Sequence, residues 1–217
     1  MAKKYKGVFI ACEHSGTIRD KCIDNGILAF SCDLLPGEGT HTKYHLQGDV
    51  FEVYNDLQEI VDVKIMIAHP SCQYLANSGV SWLVKPVAGK PHIKQGSDRY
   101  QAMLKACQFF NDLRNLPIKF KALENPIPHK YAKQFIGKYD MLTQPYHHGH
   151  EESKATCFWL DNLPPLFKTK VVEPVKGSAL HHLPPTKDRW KKRSKTYEGI
   201  SNAVFEQWIN PVMKGVV

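Results

Sequence analysis

Gly7-Val8-Phe9-Ile10-Ala11-Cys12 is the stretch on which the fold turns. An unbroken apolar run of this length, ended by the polar turn Glu13-His14-Ser15-Gly16, reads as a buried strand. A short helical stretch follows from Thr17 to Asp24, and Asn25-Gly26 closes it as a common helix stop. Further outward, residues 27–32 read as a second strand ending at Asp33, and a third short segment ends near Gly48-Asp49-Val50. Val61 to Ala68, rich in Val and Ile, is a fourth strand, and it delivers His69-Pro70-Ser71-Cys72. Residues 118–123 form another, delivering Glu124-Asn125-Pro126, and residues 156–160 a further one. Between them, 76–96 reads as a mobile loop carrying Gly79, Gly89, Gly96, Pro86 and Pro91. Ser97 then reads as a helix N-cap, with Tyr100, Met103, Leu104, Cys107, Phe110 and Leu113 at helical spacing behind it. Residues 201–209 are expected as a last helix, stopped by Asn210-Pro211.

Strands alternating with helices predict an α/β protein with a mostly parallel sheet and helices on both faces. Ligands of such sheets sit beyond the carboxyl ends of the strands. Glu13, Asp33, Asp49, Cys72 and Glu124 all fall at those ends.

Composition bounds the answer. With 217 residues, 42% of them hydrophobic, the chain can bury one sizeable core, which excludes a disulfide-stapled miniprotein and a disordered chain. No apolar run is long enough to span a membrane. The six cysteines contain no Cys-x-x-Cys pair, so a thiolate zinc site is not expected, and a reduced, cytoplasmic chain is. The formal charge is +8, and residues 187–195 (Lys-Asp-Arg-Trp-Lys-Lys-Arg-Ser-Lys) concentrate six basic side chains against one acidic. Such a patch around a tryptophan reads either as a solvated turn or as a surface for a polyanion, most simply nucleic acid.

Four features could carry chemistry. Cys72 lies in a tight Pro-Ser-Cys-Gln turn after a strand, either as an accessible nucleophile or as an incidental loop thiol. Glu124, half-buried at a strand end, would have a raised pKa and could donate a proton, unless it merely caps a turn. Asp33, after the second strand, could bind the hydroxyls of a ribose. The single glycine of the 13–16 turn favours a nucleoside ligand without phosphates over a dinucleotide. His147, His148 and His150 beside Glu151 and Glu152 could hold a metal, but adjacent histidines on an extended chain point to opposite faces, so a polar loop is the expected reading and no metal is assigned.

In their order, these stretches resemble cytosine-5 DNA methyltransferases, particularly the compact forms of bacteriophages. Val8 to Gly16 is similar to the first cofactor motif, Asp33 to the ribose acid, and Gly48-Asp49-Val50 to the adenine-binding turn. Pro70-Ser71-Cys72-Gln73 resembles the nucleophile loop, Glu124-Asn125-Pro126 the motif that grips the target base, and 199–204 the late Gly-Asn-Ala-Val motif. Ser71 stands where a proline is common. The Phe-x-Gly-x-Gly wording is absent, and so are the arginines expected after Gln144, leaving Lys154 or His148 to supply the charge.

The resemblance implies a Rossmann-like fold that uses S-adenosyl-L-methionine to methylate carbon 5 of cytosine in DNA. Cys72, Glu124, Asn125 and Lys154 would be catalytic. Ala11, Cys12, Glu13, Ser15, Gly16, Asp33, Leu34, Asp49, Val50, Pro70 and Asn202 would bind the cofactor. Gln73, Lys187, Arg189, Lys191, Lys192 and Arg193 would contact DNA. It divides the chain into a catalytic core (1–160), a small basic recognition insert (161–195) and a C-terminal helix completing the core (196–217). The same residues leave two other readings open: a nucleic-acid binder that has lost activity, and the same chemistry on RNA.

Overall fold

The computed structural model describes residues 4–83, 96–175 and 195–217. Seven strands form one sheet in the order β3-β2-β1-β4-β5-β7-β6. They are β1 (Tyr5–Ala11), β2 (Ala29–Asp33), β3 (His45–Gln47), β4 (Val61–Ala68), β5 (Phe120–Asn125), β6 (Met141–Thr143) and β7 (Thr156–Asp161). β3, β2, β1, β4 and β5 pair in parallel, and β7 runs antiparallel between β5 and β6. The expected α/β architecture is therefore present, with one reversed strand near the sheet's edge.

The apolar run of β1 has its reason in two cores. Side chains alternate across a strand. Phe9 and Ala11 enter a core with α2 (Val50–Ile60), α3 (Gly96–Arg114) and α4 (Lys130–Ile136). Val8 and Ile10 enter a second core on the opposite face, with α1 (Thr17–Asp24) and α5 (Glu198–Val204). All four side chains are fully buried, each contributing roughly 1.5–3 kcal/mol of transfer free energy if it is large. A strand covered on both faces cannot alternate polar with apolar.

Several boundaries match the sequence reading. α1 and β4 have the predicted limits, and Gly26 after α1 takes the left-handed φ of 74° that a helix stop requires. Others differ. α2, α4 and β6 are not anticipated by the patterning. α2 is capped by Asp49, whose Oδ1 accepts from the amides of Phe51 and Glu52.

In α3 the Ser97 cap is displaced, because the helix already includes Gly96. The inward position of its first turn is Arg99, whereas Tyr100 is 39% exposed. The described part of the expected 76–96 loop is not loose. Asn77–Leu83 forms a 3-10 segment, Ala76 bridges to Pro128, and the Asn77 amide donates to the Ile127 carbonyl. Residues 84–95 lie outside the described residues.

At the C-terminus, Asn210-Pro211 does not stop the helix. α5 passes into a π turn, Phe205–Ile209, and continues as α6 (Asn210–Lys214). A wide turn suits a proline that has no N–H to offer the carbonyl four residues back. The turn also buries Trp208, whose indole donates to the Pro164 carbonyl at 2.7 Å.

α5 is fixed at its first turn by close approach. The Gly199 amide donates to His150 Nε2 at 2.9 Å, and a Cβ at residue 199 would overlap the His148 carbonyl oxygen. Gly199→Ala is therefore expected to cost about 1–3 kcal/mol. Urea unfolding should show a lower midpoint at an unchanged slope.

Candidate active site

The sheet order reverses between β1 and β4, where α1 leaves one face and α2 returns on the other. This is the crevice in which open α/β sheets bind ligands. The His69 amide spans it, donating to the Ala11 carbonyl at 2.9 Å.

On the β1–β2 side the chain gathers acid groups. Glu13 is buried, and its Oε1 accepts from the Ile18 amide at 3.1 Å and the Ser15 hydroxyl at 3.3 Å, so it anchors the start of α1. Its Oε2 is buried and has no hydrogen-bond partner among the described residues. Gly16 needs its left-handed φ of 72°, and a Cβ there would meet the Glu38 carbonyl at 2.7 Å. Asp33 Oδ1 accepts from the Leu35 amide at 2.9 Å. Burial pushes the Cys12 thiol strongly up, and the charges of Asp33 and Asp49 push it the same way. Both carboxylates thus act electrostatically on one half-buried thiol.

Buried Arg19 braces the loop beyond Asp33. It pairs with Asp20 and donates to Ser31 Oγ at 2.8 Å and the Glu38 carbonyl at 2.6 Å. Of the remaining expected cofactor residues, Ala11 and Val50 are buried in the core, Leu34 is 73% exposed, and Asn202 is half-buried on α5.

On the β4–β5 side two turns are tied together. The strands pair in parallel with Ala68 opposite Leu123, so the next residues meet in turn. His69 Nδ1 lies 3.2 Å from Glu124 Oε2, and Asn125 Nδ2 donates to the Pro70 carbonyl at 2.7 Å. The Cys72 turn and the Glu-Asn pair thus share one sheet edge. Pro70 and Asn125 are buried, while Cys72 is exposed.

The contrast with the other thiols is sharp. Burial pushes Cys22, Cys32 and Cys157 up to about 12 and Cys107 to about 11. Cys72 is the exposed cysteine of the six.

The turn after Cys72 is clamped from α3 and α4. The Arg99 guanidinium donates to the Gln73 carbonyl at 3.0 Å and lies 5.1 Å from the ring centres of both Tyr74 and Trp82. His129 Nε2 meets the Tyr74 carbonyl at 2.9 Å, while its Nδ1 accepts from the Ala132 amide. The tautomer is thereby fixed, with Nε2 donating.

Glu124 differs from expectation in sign. Burial alone would raise its carboxyl, but the hydrogen bond and charge of His69 and the charge of Lys154 outweigh that and hold it below the ordinary carboxylate range. Unaided, it is ionised rather than proton-donating. Lys154 lines one small pocket with His69, Glu124, Thr156 and Tyr197, over an apolar floor that includes Ile67 and Phe158.

His148 cannot supply a charge there. Buried between the hydroxyls of Thr143 (2.8 Å) and Thr169 (3.1 Å), it is lowered to about 4 by burial, then by His147 and His150. The chain at 145–147 is a 3-10 turn, not extended, so the His147 and His148 rings converge on Thr143 instead of facing apart. His150 is spent on the Gly199 amide. No group of three metal-ligating side chains occurs among the described residues. Lys187, Arg189, Lys191, Lys192 and Arg193 lie outside the described residues.

Sequence reasoning did not single out His69, Arg99 or Tyr197. The available signal for His69 was its place as the first residue after a strand. No helix among the described residues is long and apolar enough to cross a membrane.

No protein-family model matches the chain. No curated protein matches it either. Among solved structures, it is similar to a protein from E. coli described as a candidate DNA modification methyltransferase encoded within a prophage. The identity is 15% and the TM-score 0.46, over 84% of this chain and 56% of that one.

Two measurements check the site's scaffold. Asn125→Ala removes a buried donor and strands the Pro70 carbonyl, so it should cost about 1–3 kcal/mol in denaturant unfolding. His148 binds its proton more weakly folded than unfolded. Its contribution to stability is present above the unfolded value near 6.5 and is lost as pH falls through the folded value of about 4. His148→Asn should flatten that part of the stability–pH curve.

Proposed function

We propose that this protein is an S-adenosyl-L-methionine-dependent methyltransferase acting on carbon 5 of cytosine in DNA, with Cys72 as nucleophile. The observation that carries the reading is the lacing of the two turns. His69 against Glu124 and Asn125 against Pro70 hold an exposed thiol and a carboxylate at neighbouring strand ends.

The cofactor fits the residues on the β1–β2 side. A buried carboxylate oxygen of Glu13, without a partner among the described residues, suits the ammonium of a methionine moiety. Asp33 keeps one oxygen for its Asx turn, which leaves the other for ribose hydroxyls. Asp49 uses Oδ1 to cap α2 and can offer Oδ2 to an adenine amine. Ser15, Gly16 and Cys12 shape the wall, and Asn202 on α5 closes it. S-adenosylmethionine, when bound, supplies the electrophilic methyl group.

The chain's own residues prepare the base. Cytosine carbon 5 is a weak nucleophile until carbon 6 is attacked. The Cys72 thiolate adds there, forming an S–C6 bond, while Glu124 engages the ring at nitrogen 3 and the exocyclic amine. The electron pair released towards carbon 5 makes it enamine-like, so that it takes the methyl. Loss of the carbon 5 proton to water then expels the thiolate and restores the ring. Asn125 holds the two turns in register, Arg99 and His129 keep the Cys72 turn from drifting, and Lys154 supplies positive charge beside Glu124. Reaching the atom requires the base to leave the duplex, at a cost of a few kcal/mol. Gln73 sits beside the nucleophile for that step, and the basic residues 187–193 supply phosphate contacts, which position without reading sequence.

Incubation with methyl-labelled cofactor and duplex DNA should place label in 5-methylcytosine. Cys72→Ser should abolish transfer while leaving S-adenosylhomocysteine binding intact by calorimetry. Undiminished turnover in that variant would end the covalent mechanism. Label in RNA alone would change the acceptor, and binding of DNA without cofactor would favour a non-catalytic binder.

A further inference from the structure

We propose that His69 is a positioning residue that holds and relays the proton Glu124 needs at cytosine nitrogen 3, a role that rests on the reading above. The geometry starts from a mismatch of hydrogen-bonding types. Ring nitrogen 3 of cytosine presents a lone pair, and an ionised carboxylate only accepts. Two acceptors do not bond, so Glu124 must first take a proton. His69 can carry one: its Nδ1 lies 3.2 Å from Glu124 Oε2, and in the Nδ1–H form it faces an oxygen that accepts from it. Both side chains are largely enclosed, at 13% and 17% exposure, and both line the same pocket. His69 Nε2 is buried and has no hydrogen-bond partner among the described residues. The residue is held by its backbone bond to Ala11 and by the contact with Glu124.

The other groups facing Glu124 do not serve as well. Lys154 acts on it from the segment before β7 and also contacts the Lys195 carbonyl and the Tyr197 ring. The Cys157 thiol on β7 and the Tyr197 phenol at the head of α5 are each pushed up to about 12, by burial and by nearby negative charge. They keep their protons through the neutral range. Imidazole is the side chain that ordinarily gives and regains a proton there.

The relay balances. As the S–C6 bond forms, the imidazolium Nδ1 proton passes to Glu124 and the carboxyl proton to nitrogen 3, leaving His69 neutral. When the carbon 5 proton departs to water and the S–C6 bond breaks, nitrogen 3 returns its proton through Glu124 to His69. The pair ends as it began, and the net proton released is the one from carbon 5.

The test compares wild type, His69→Ala and His69→Gln in the methyl-transfer assay, with calorimetric binding of S-adenosylhomocysteine as the check of folding. His69→Ala should lose about 100-fold in kcat, the size of a general acid–base contribution, with KM for DNA little changed. Added imidazole should restore its rate, more so at pH values where imidazole is protonated. A purely structural histidine would not respond to imidazole. Turnover by His69→Ala or His69→Gln at the wild-type rate overturns the relay alone, and so does a loss in His69→Ala that imidazole leaves untouched. A wild-type protein that labels no cytosine overturns the enzyme reading, and the relay with it.

Discussion

Two parallel strands that stop in register hand their next residues to each other. In this molecule β4 ends at Ala68 opposite Leu123 of β5, and everything at the candidate site follows from that pairing. One residue further, His69 meets Glu124; two further, Pro70 meets Asn125. The Asn125–Pro70 bond has only a modest net worth, because folding trades water hydrogen bonds for protein ones. Its importance lies in what would happen without it, since a buried amide and carbonyl would both lack partners. The register therefore has few alternatives, and the turns beyond it inherit that rigidity. Arg99 and His129 extend the constraint outward by fixing the carbonyls of Gln73 and Tyr74. The Cys72 turn can then be exposed without being loose.

The central strands were legible because sheet burial leaves a strong mark. β1 and β4 sit in mid-sheet, and the apolar runs of residues 7–12 and 65–68 have no other use. α1 was legible because Asn25-Gly26 states its end. The peripheral elements left weaker traces. β6 has three residues, too few for any period. α2 commits only Val50, Tyr54 and Leu57 to full burial, and its N-cap is the aspartate that motif reading assigns to a ligand. At the C-terminus, the rule that proline ends a helix is sound for an α turn and does not apply to the π turn that Trp208 occupies. Arg99 escaped because a charged residue is expected outside. Here two aromatic rings and a carbonyl replace its water.

The candidate site was legible as a set of positions, not as an arrangement. Strand ends can be marked along the chain, so Glu13, Asp33, Asp49, Cys72 and Glu124 could be picked from it. What each does there depends on partners far away in sequence. His69 acquires meaning only beside a residue 55 positions later. The ionisation of Glu124 depends on the same neighbour, and burial alone predicts the opposite direction. The histidines at 147, 148 and 150 resemble a ligand cluster in sequence. Their rings are consumed by Thr143, Thr169 and the Gly199 amide, which the sequence does not announce.

The sheet edge divides chemically at the switch between β1 and β4. On one side lie carboxylates, with Glu13, Asp33 and Asp49 around a half-buried Cys12, an environment that accepts hydrogen bonds and positive charge. On the other lie Lys154, His69 and Glu124, a cation, an imidazole and a carboxylate around one small pocket. The same division sorts the thiols. Cys12 and Cys32 stand beside negative charge, and Cys157 beside Glu124; in each, burial and that charge work together against the thiolate. Cys72, carried past the strand end on the Pro70 turn, is not enclosed in this way. Exposure alone separates Cys72 from the other five cysteines. It follows from five cysteines being packed within the fold while one is held at its edge by a hydrogen bond to the turn that carries it.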